Sequence, residues 1–257
     1  MCTFTHLIMI MNLVIDVGNT SIKFGVFDLE VIKWKTTSKE DSFLQTLNEV
    51  SKTFPSIRNC IISSVANLSK EHLSKLEESF DVLSLNHQTK VPFKNRYASP
   101  QTLGIDRIAL MSAASFQYKN KNVLVIDAGT CITYDFINSK NEYLGGAISP
   151  GITMRYKSLH TFTDKLPLLE KAHPNSYIGN NTANAIHSGI VNAVLFEIEG
   201  YIAEYKKEYE NLTVILTGGD THFLRDSIKN DIFANSNFLL EGLNHILEYN
   251  KHSCLEK

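Results

Sequence analysis

Two stretches of the chain repeat one another. Residues 13–28 (LVIDVGNTSIKFGVFD) can be laid on residues 124–137 (LVIDAGTCITYDFI) with one residue deleted. Each stretch is an apolar run of strand-forming residues, then Asp-x-Gly with a threonine, then a second such run. That is the pattern of an antiparallel hairpin whose turn carries the Asp, Gly and Thr. The first copy continues into residues 31–36, a candidate third strand. Chance could supply two hairpins rich in Gly and Thr. The recurrence of strand, Asp-x-Gly and Thr at the head of each half instead indicates a duplicated domain.

After each hairpin, strand and helix patterns alternate. In the first half, residues 60–65 form a short apolar run, and residues 67–80 place Leu73, Leu76 and Phe80 at helical spacing. Residues 81–85 supply the next strand, completing a βαβ unit. Ile105, Ile108, Ala109, Ser112 and Phe116 mark a helix closing this half. In the second half, Ile186, Ile190, Val194 and Ile202 define one face of a long helix. Residues 212–217 read as a buried strand, and Leu239, Leu243, Ile246 and Leu247 as a closing helix. The expected fold is α/β, with domains at 11–118 and 119–257 and a cleft between them.

Composition narrows the function. The 257 residues are 43% hydrophobic and 20% charged, enough to bury a sizeable core. Lysine and arginine number 25 against 27 acids, a net charge of −2, which gives no general electrostatic reason to bind nucleic acid or anionic membrane. Cys2, Cys60, Cys131 and Cys254 lie far apart, so neither a disulfide scaffold nor a structural zinc site is expected. The nine histidines lack metal-ligand spacing. The apolar run at residues 7–15 has no basic residue before it and ends at Asp16; it reads as a buried strand, with Met11 a plausible start. A cytoplasmic chain without nucleic-acid or membrane partners is expected.

Several turns carry chemistry. In the first hairpin, Gly18 admits an anion close to the backbone, Asn19, Thr20 and Ser21 add short polar groups, Asp16 can hold hydrated Mg²⁺ and Lys23 supplies positive charge. The spacing is not that of a Walker A loop, which needs Gly-x-x-x-x-Gly-Lys before a helix. The second hairpin repeats the carboxylate and hydroxyl as Asp127 and Thr130. Thr217-Gly-Gly-Asp220 follows an apolar strand, and Gly145-Gly146 and Pro150-Gly151 flank another loop of close approach. Asp106 and Arg107 stand at a helix start, where a carboxylate can take a proton and a guanidinium can bind an anion bidentately. Each motif alone has an ordinary structural reading, as a turn or a helix-start ion pair.

Together the motifs resemble the actin-like, sugar-kinase and Hsp70 ATPase superfamily, and within it the type III pantothenate kinases. D-x-G-N-T-x-x-K, the segment from Tyr97 to G-x-D-R, D-A-G-T, G-G-x-I-x-P-G, the helix start near Thr182 and T-G-G-D occur in family order from Met11 onward. The resemblance implies two ribonuclease-H-like domains and ATP-dependent phosphorylation of pantothenate. It implies that Asp16, Val17, Gly18, Asn19, Thr20, Ser21, Ile22, Lys23 and Thr130 bind ATP. Tyr97, Gly104, Ile105, Asp106, Arg107 and Thr182 would line the pantothenate site, with Asp106 the proton acceptor. Asp127 would help hold a monovalent cation, K⁺ or NH₄⁺, and the protein would be a homodimer. A transcription-accessory regulator and a nucleotide-binding module without catalysis are the alternatives.

Overall fold

The structure, a computed structural model, describes residues 11–64 and 68–252. The chain divides into two compact units. Unit 1 runs to Phe93 and takes in Ala98–Phe116 and the chain from Phe238 onward; unit 2 comprises Lys94–Tyr97 and Gln117–Asn237.

Unit 1 opens with an antiparallel meander, β1 (Met11–Val17), β2 (Ile22–Asp28) and β3 (Val31–Ser38). Helix α1 (Phe43–Thr53), strand β4 (Asn59–Ser64), helix α2 (Lys70–Ser79) and strand β5 (Asp81–Ser84) come next along the chain. The sheet order is β3-β2-β1-β4-β5, with β4 parallel to β1 and β5 parallel to β4. β1 is central and buried from Asn12 to Val17, as its unbroken apolar run requires. β3, at the edge, alternates exposed and half-buried residues and carries Lys33 and Lys35, which discourage edge-to-edge pairing. Helix α1 buries Phe43, Thr46, Leu47 and Val50 at helical spacing against this sheet. The Ser69 side chain caps α2 by accepting from the His72 N–H. Helix α3 (Ile105–Gln117) is buried continuously from Arg107 to Ser115.

Unit 2 repeats the plan. β6 (Lys94–Asn95) lies at one edge, and β7 (Val123–Ala128), β8 (Cys131–Ile137) and β9 (Glu142–Pro150) form a second antiparallel meander. β10 (Thr213–Thr217) and β11 (Phe233–Ala234) then add in parallel. The order β11-β10-β7-β8-β9-β6 matches unit 1 strand for strand, with β6 added beyond β9. Helices α4 (Ile152–Thr161), α5 (Thr182–His187), α6 (Ala193–Glu208) and α7 (Thr221–Leu224) complete the unit. α5 passes into α6 through a π-helical stretch, Ser188–Asn192. The stripe Ile186, Ile190, Val194 and Ile202 expected from the sequence is buried in the core of this unit.

Three features differ from the sequence reading. The closing helix, α8 (Phe238–His252), belongs to unit 1, not to the second half as a cut at 118/119 implies. Its Gly242 meets the Ala109 carbonyl so closely that a Cβ would lie 1.9 Å from that oxygen, and Asn12 on β1 donates to its Asn244 at 2.8 Å. The segment around Gly145 and Gly146 is strand rather than loop: β9 passes so near β8 that a Cβ on Gly146 would sit 1.6 Å from the Tyr134 carbonyl. Helix α1 has no counterpart among the expected elements. The apolar stretch at residues 7–10 and the residue at which α2 is expected to begin, Asn67, lie outside the described residues. Among the described residues no helix is long and apolar enough to cross a membrane.

Candidate functional site

The β1–β2 turn is closed by the Gly18 N–H donating to the Ser21 carbonyl at 3.1 Å, leaving Asn19 and Thr20 exposed while Val17 and Ile22 are buried. Asp16 is the last residue but one of β1 and is itself buried. Its Oδ1 accepts from Ser63 Oγ at 2.7 Å, and its Oδ2 lies 3.6 Å from Lys23 Nζ. Burial raises the Asp16 carboxyl above its ordinary pKa; Lys23 and Ser63 oppose that rise, and the charge of Asp106 adds to it. Asp16 and Asp106, 90 residues apart in the chain, belong to the same compact unit. Motif reasoning does not reach Ser63. It faces Asp16 because β4 pairs with β1 in that register.

Asp106 occupies the first turn of α3. The Arg107 backbone N–H donates to its Oδ1 at 2.9 Å, while the Arg107 side chain is buried. A Cβ on Gly104 would lie 2.4 Å from Asp106 Oδ1, so glycine there leaves this carboxylate its room. Gly104, Ile105, Asp106 and Arg107 all belong to unit 1.

Unit 2 brings the remaining glycine-rich turns together. The Gly218 backbone lies against the second hairpin, where a Cβ would fall 2.3 Å from Asp127 Oδ1 and 2.4 Å from the Ala128 carbonyl, and its φ of +94° favours glycine. The Asp220 N–H donates to the Ala128 carbonyl at 2.9 Å, and the Gly151 N–H to the Thr130 carbonyl at 3.1 Å. Thr130 itself is exposed. Lys171 pairs with Asp220 and lies over the Phe223 ring. Glu197 on α6 holds the Ser149–Pro150 corner: it accepts from Ser149 Oγ at 2.5 Å, from Tyr134 at 2.8 Å and from Arg155 at 2.5 Å, while Arg155 also donates to the Pro150 carbonyl. Burial works against the ionised form of Glu197, yet these three donors hold its carboxyl below the usual range. Asp127 offers an oxygen donor close to the Ala128 carbonyl, a chemistry that suits a hard cation better than a soft metal. Among the described residues no group of three or more His, Cys, Asp or Glu could cage a metal ion. Mg²⁺ commonly needs no such cage, because phosphates and water supply most of its ligands.

Tyr97 lies in unit 2, its ring stacked on Tyr143 with centroids 6.0 Å apart and its edge against Gly145. Thr182 opens α5, exposed, behind an Asn181 side chain that accepts from the Asn184 N–H. His187 meets the Tyr156 hydroxyl at 2.7 Å and is accounted for by packing. Cys60 and Cys131 are free thiols.

A family model described as type III pantothenate kinase matches residues 12–204. The chain is 51% identical over 241 residues to a type III pantothenate kinase from Christiangramia forsetii, covering 94% of this chain and 99% of that one. Its fold is similar to that of a Campylobacter jejuni protein described as a Baf family transcriptional activator, with a TM-score of 0.64, 24% identity, and coverage of 93% and 99%. It is also similar to the inorganic polyphosphate/ATP-glucomannokinase from an Arthrobacter species, with a TM-score of 0.50, 15% identity, and coverage of 95% and 99%. Those two likenesses concern fold alone, that of the actin-like ATPases and sugar kinases. The family match and the half-identical relative spanning nearly the whole chain leave one conclusion: this chain belongs to the type III pantothenate kinases.

Proposed function

We propose that this chain transfers the γ-phosphoryl group of Mg·ATP to the primary hydroxyl of pantothenate, the first step toward coenzyme A. The observation that carries the proposal is the Asp16 carboxylate, buried at the first phosphate turn with Lys23 3.6 Å away, in the same compact unit as Asp106 at the start of α3. A carboxylate beside the phosphate turn and a second one able to accept a proton, both in unit 1, support this reading. An alcohol is a weak nucleophile until its proton is oriented and accepted, and Asp106 takes that proton as the oxygen attacks in line. Arg107 and Gly104 fix the Asp106 carboxylate. The turn carrying Gly18, Asn19, Thr20 and Ser21 cradles phosphate oxygens, and Lys23 offsets the charge developing on them. Asp16 would help the phosphates hold Mg²⁺, which would supply charge neutralisation on the transferred group. Thr130 meets ATP from the second hairpin, Asp127 holds a monovalent cation, and Tyr97 and Thr182 help to bind pantothenate.

The test is formation of phosphopantothenate by purified protein with ATP, Mg²⁺ and pantothenate. Asp106→Asn keeps size and polarity but removes the proton acceptor. Its turnover should fall at least about 100-fold with fold and ATP binding retained. Activity within a few-fold of the parent would leave Asp106 a positioning residue only. The same assay in potassium or ammonium buffer should far outpace one in sodium alone; equal rates would remove Asp127 from a cation site.

A further inference from the structure

Among the described residues, four large hydrophobic side chains of unit 1 are exposed: Leu29, Val31, Phe116 and Tyr249, from 37% to 72%. All four line one cavity of about 630 Å³, formed by the β2–β3 turn, the end of α3 and the C-terminal part of α8. That volume falls in the range of small-molecule sites, and clustered apolar exposure of this kind marks binding rather than ordinary surface. The cavity is not the phosphate site. Its residue Asp28 pairs with Met11 at one end of β1, whereas Asp16 lies next to the other end, roughly 17 Å away at the rise of a β-strand.

The walls are built rather than loose. The Phe116 ring stacks on His245 with centroids 3.9 Å apart. Asn244, held by Asn12, donates to the Leu29 carbonyl at 2.7 Å and fixes the turn. Leu29 sits at φ +54°, in the left-handed region that disfavours a branched side chain, yet it is exposed there. His245 has no hydrogen-bond partner among the described residues. Burial brings its pKa down to about 4, so at neutral pH it offers an uncharged hydrogen-bonding ring. The charged lining is one-sided: Asp28, Glu30 and Glu248, with no lysine or arginine. Lys33 offsets Asp28 and Lys251 offsets Glu248, but Glu30 has no ion-pair partner among the described residues. Such a lining repels phosphates and carboxylates and so excludes ATP and pantothenate themselves.

We infer that this cavity is a second ligand site, for a flat apolar molecule bearing a protonated amine. The aromatic body lies against Phe116 and Tyr249, and the ammonium group points to Glu30.

The probe is 2-(aminomethyl)naphthalene, titrated into the full-length protein and followed by amide NMR, with 2-naphthoate as the anionic control. Saturable shifts are expected at the amides of Leu29, Val31, Asn244 and Tyr249, with the naphthoate at least about tenfold weaker, ~1.4 kcal/mol. Glu30→Lys should weaken the amine by a similar factor and Val31→Arg should abolish binding, both variants keeping parental kinase turnover. The site is overturned by no saturable shift, by equal affinity for amine and naphthoate, or by affinity that neither substitution changes. Shifts confined to residues 18–23 would place the probe at the phosphate turn and overturn it too. So would concentration-dependent shifts of the cavity amides without probe, which would make this face a protein interface.

Discussion

At Asp16 burial and chemistry pull in opposite directions. The carboxylate is held almost out of water, with Lys23 and Ser63 compensating in part. Its pKa is raised in the folded state, so its contribution to stability is full below the unfolded value, about 3.9, and is lost as pH rises through the folded pKa. We therefore expect Asp16→Asn, which cannot ionise, to be more stable than the parent at pH 7 by on the order of 1 kcal/mol. The gap should close as pH falls toward 4, and Mg·ATP turnover should drop. Urea midpoints at pH 7 and pH 5 measure this; a variant no more stable than the parent at pH 7 would show that Lys23 and Ser63 fully compensate the burial. At this scale the motif residues were legible because turn chemistry is local. Ser63 was not, because its role comes from the register of β4 on β1.

Among the elements, β9 and its exit into α4 show where local propensity misleads. Gly145, Gly146 and Pro150 argue for a loop, yet the glycines are what let β9 lie against β8 and let Tyr97 approach. Helix α1 is the opposite case: Phe43, Leu47 and Val50 stand at helical spacing, yet the elements expected from the sequence do not include it. The β9–α4 corner depends on Glu197 from α6, which reaches Ser149 and Arg155, and Gly151 hangs from the Thr130 carbonyl. Glu197→Gln leaves an acceptor but removes the charge that Arg155 pairs with. It should cost roughly 1–3 kcal/mol of stability. It should also raise KM for ATP while KM for pantothenate stays within about twofold. Steady-state kinetics with each substrate varied decide it; parallel rises in both KM values would make Glu197 a general stabiliser of unit 2.

For the whole molecule, we propose self-association as a homodimer through unit 2. Ile148, Tyr177, Ile178 and Phe196 are each more than 60% exposed, and the Tyr177 and Phe196 rings stack on each other in solvent. Sedimentation equilibrium should return twice the chain mass, and the double variant Ile178→Glu, Phe196→Glu should return one. A parent that sediments as a monomer at micromolar concentration would refute the dimer. The hairpin-led halves, the turns and the family were readable in the linear chain, because strand alternation, helical spacing and glycine-rich turns express forces acting over a few residues. Folding alone settled that α8 completes unit 1 and that Ser63 meets Asp16. Each of those depends on contacts between residues tens to hundreds of positions apart, set by which buried faces fit together.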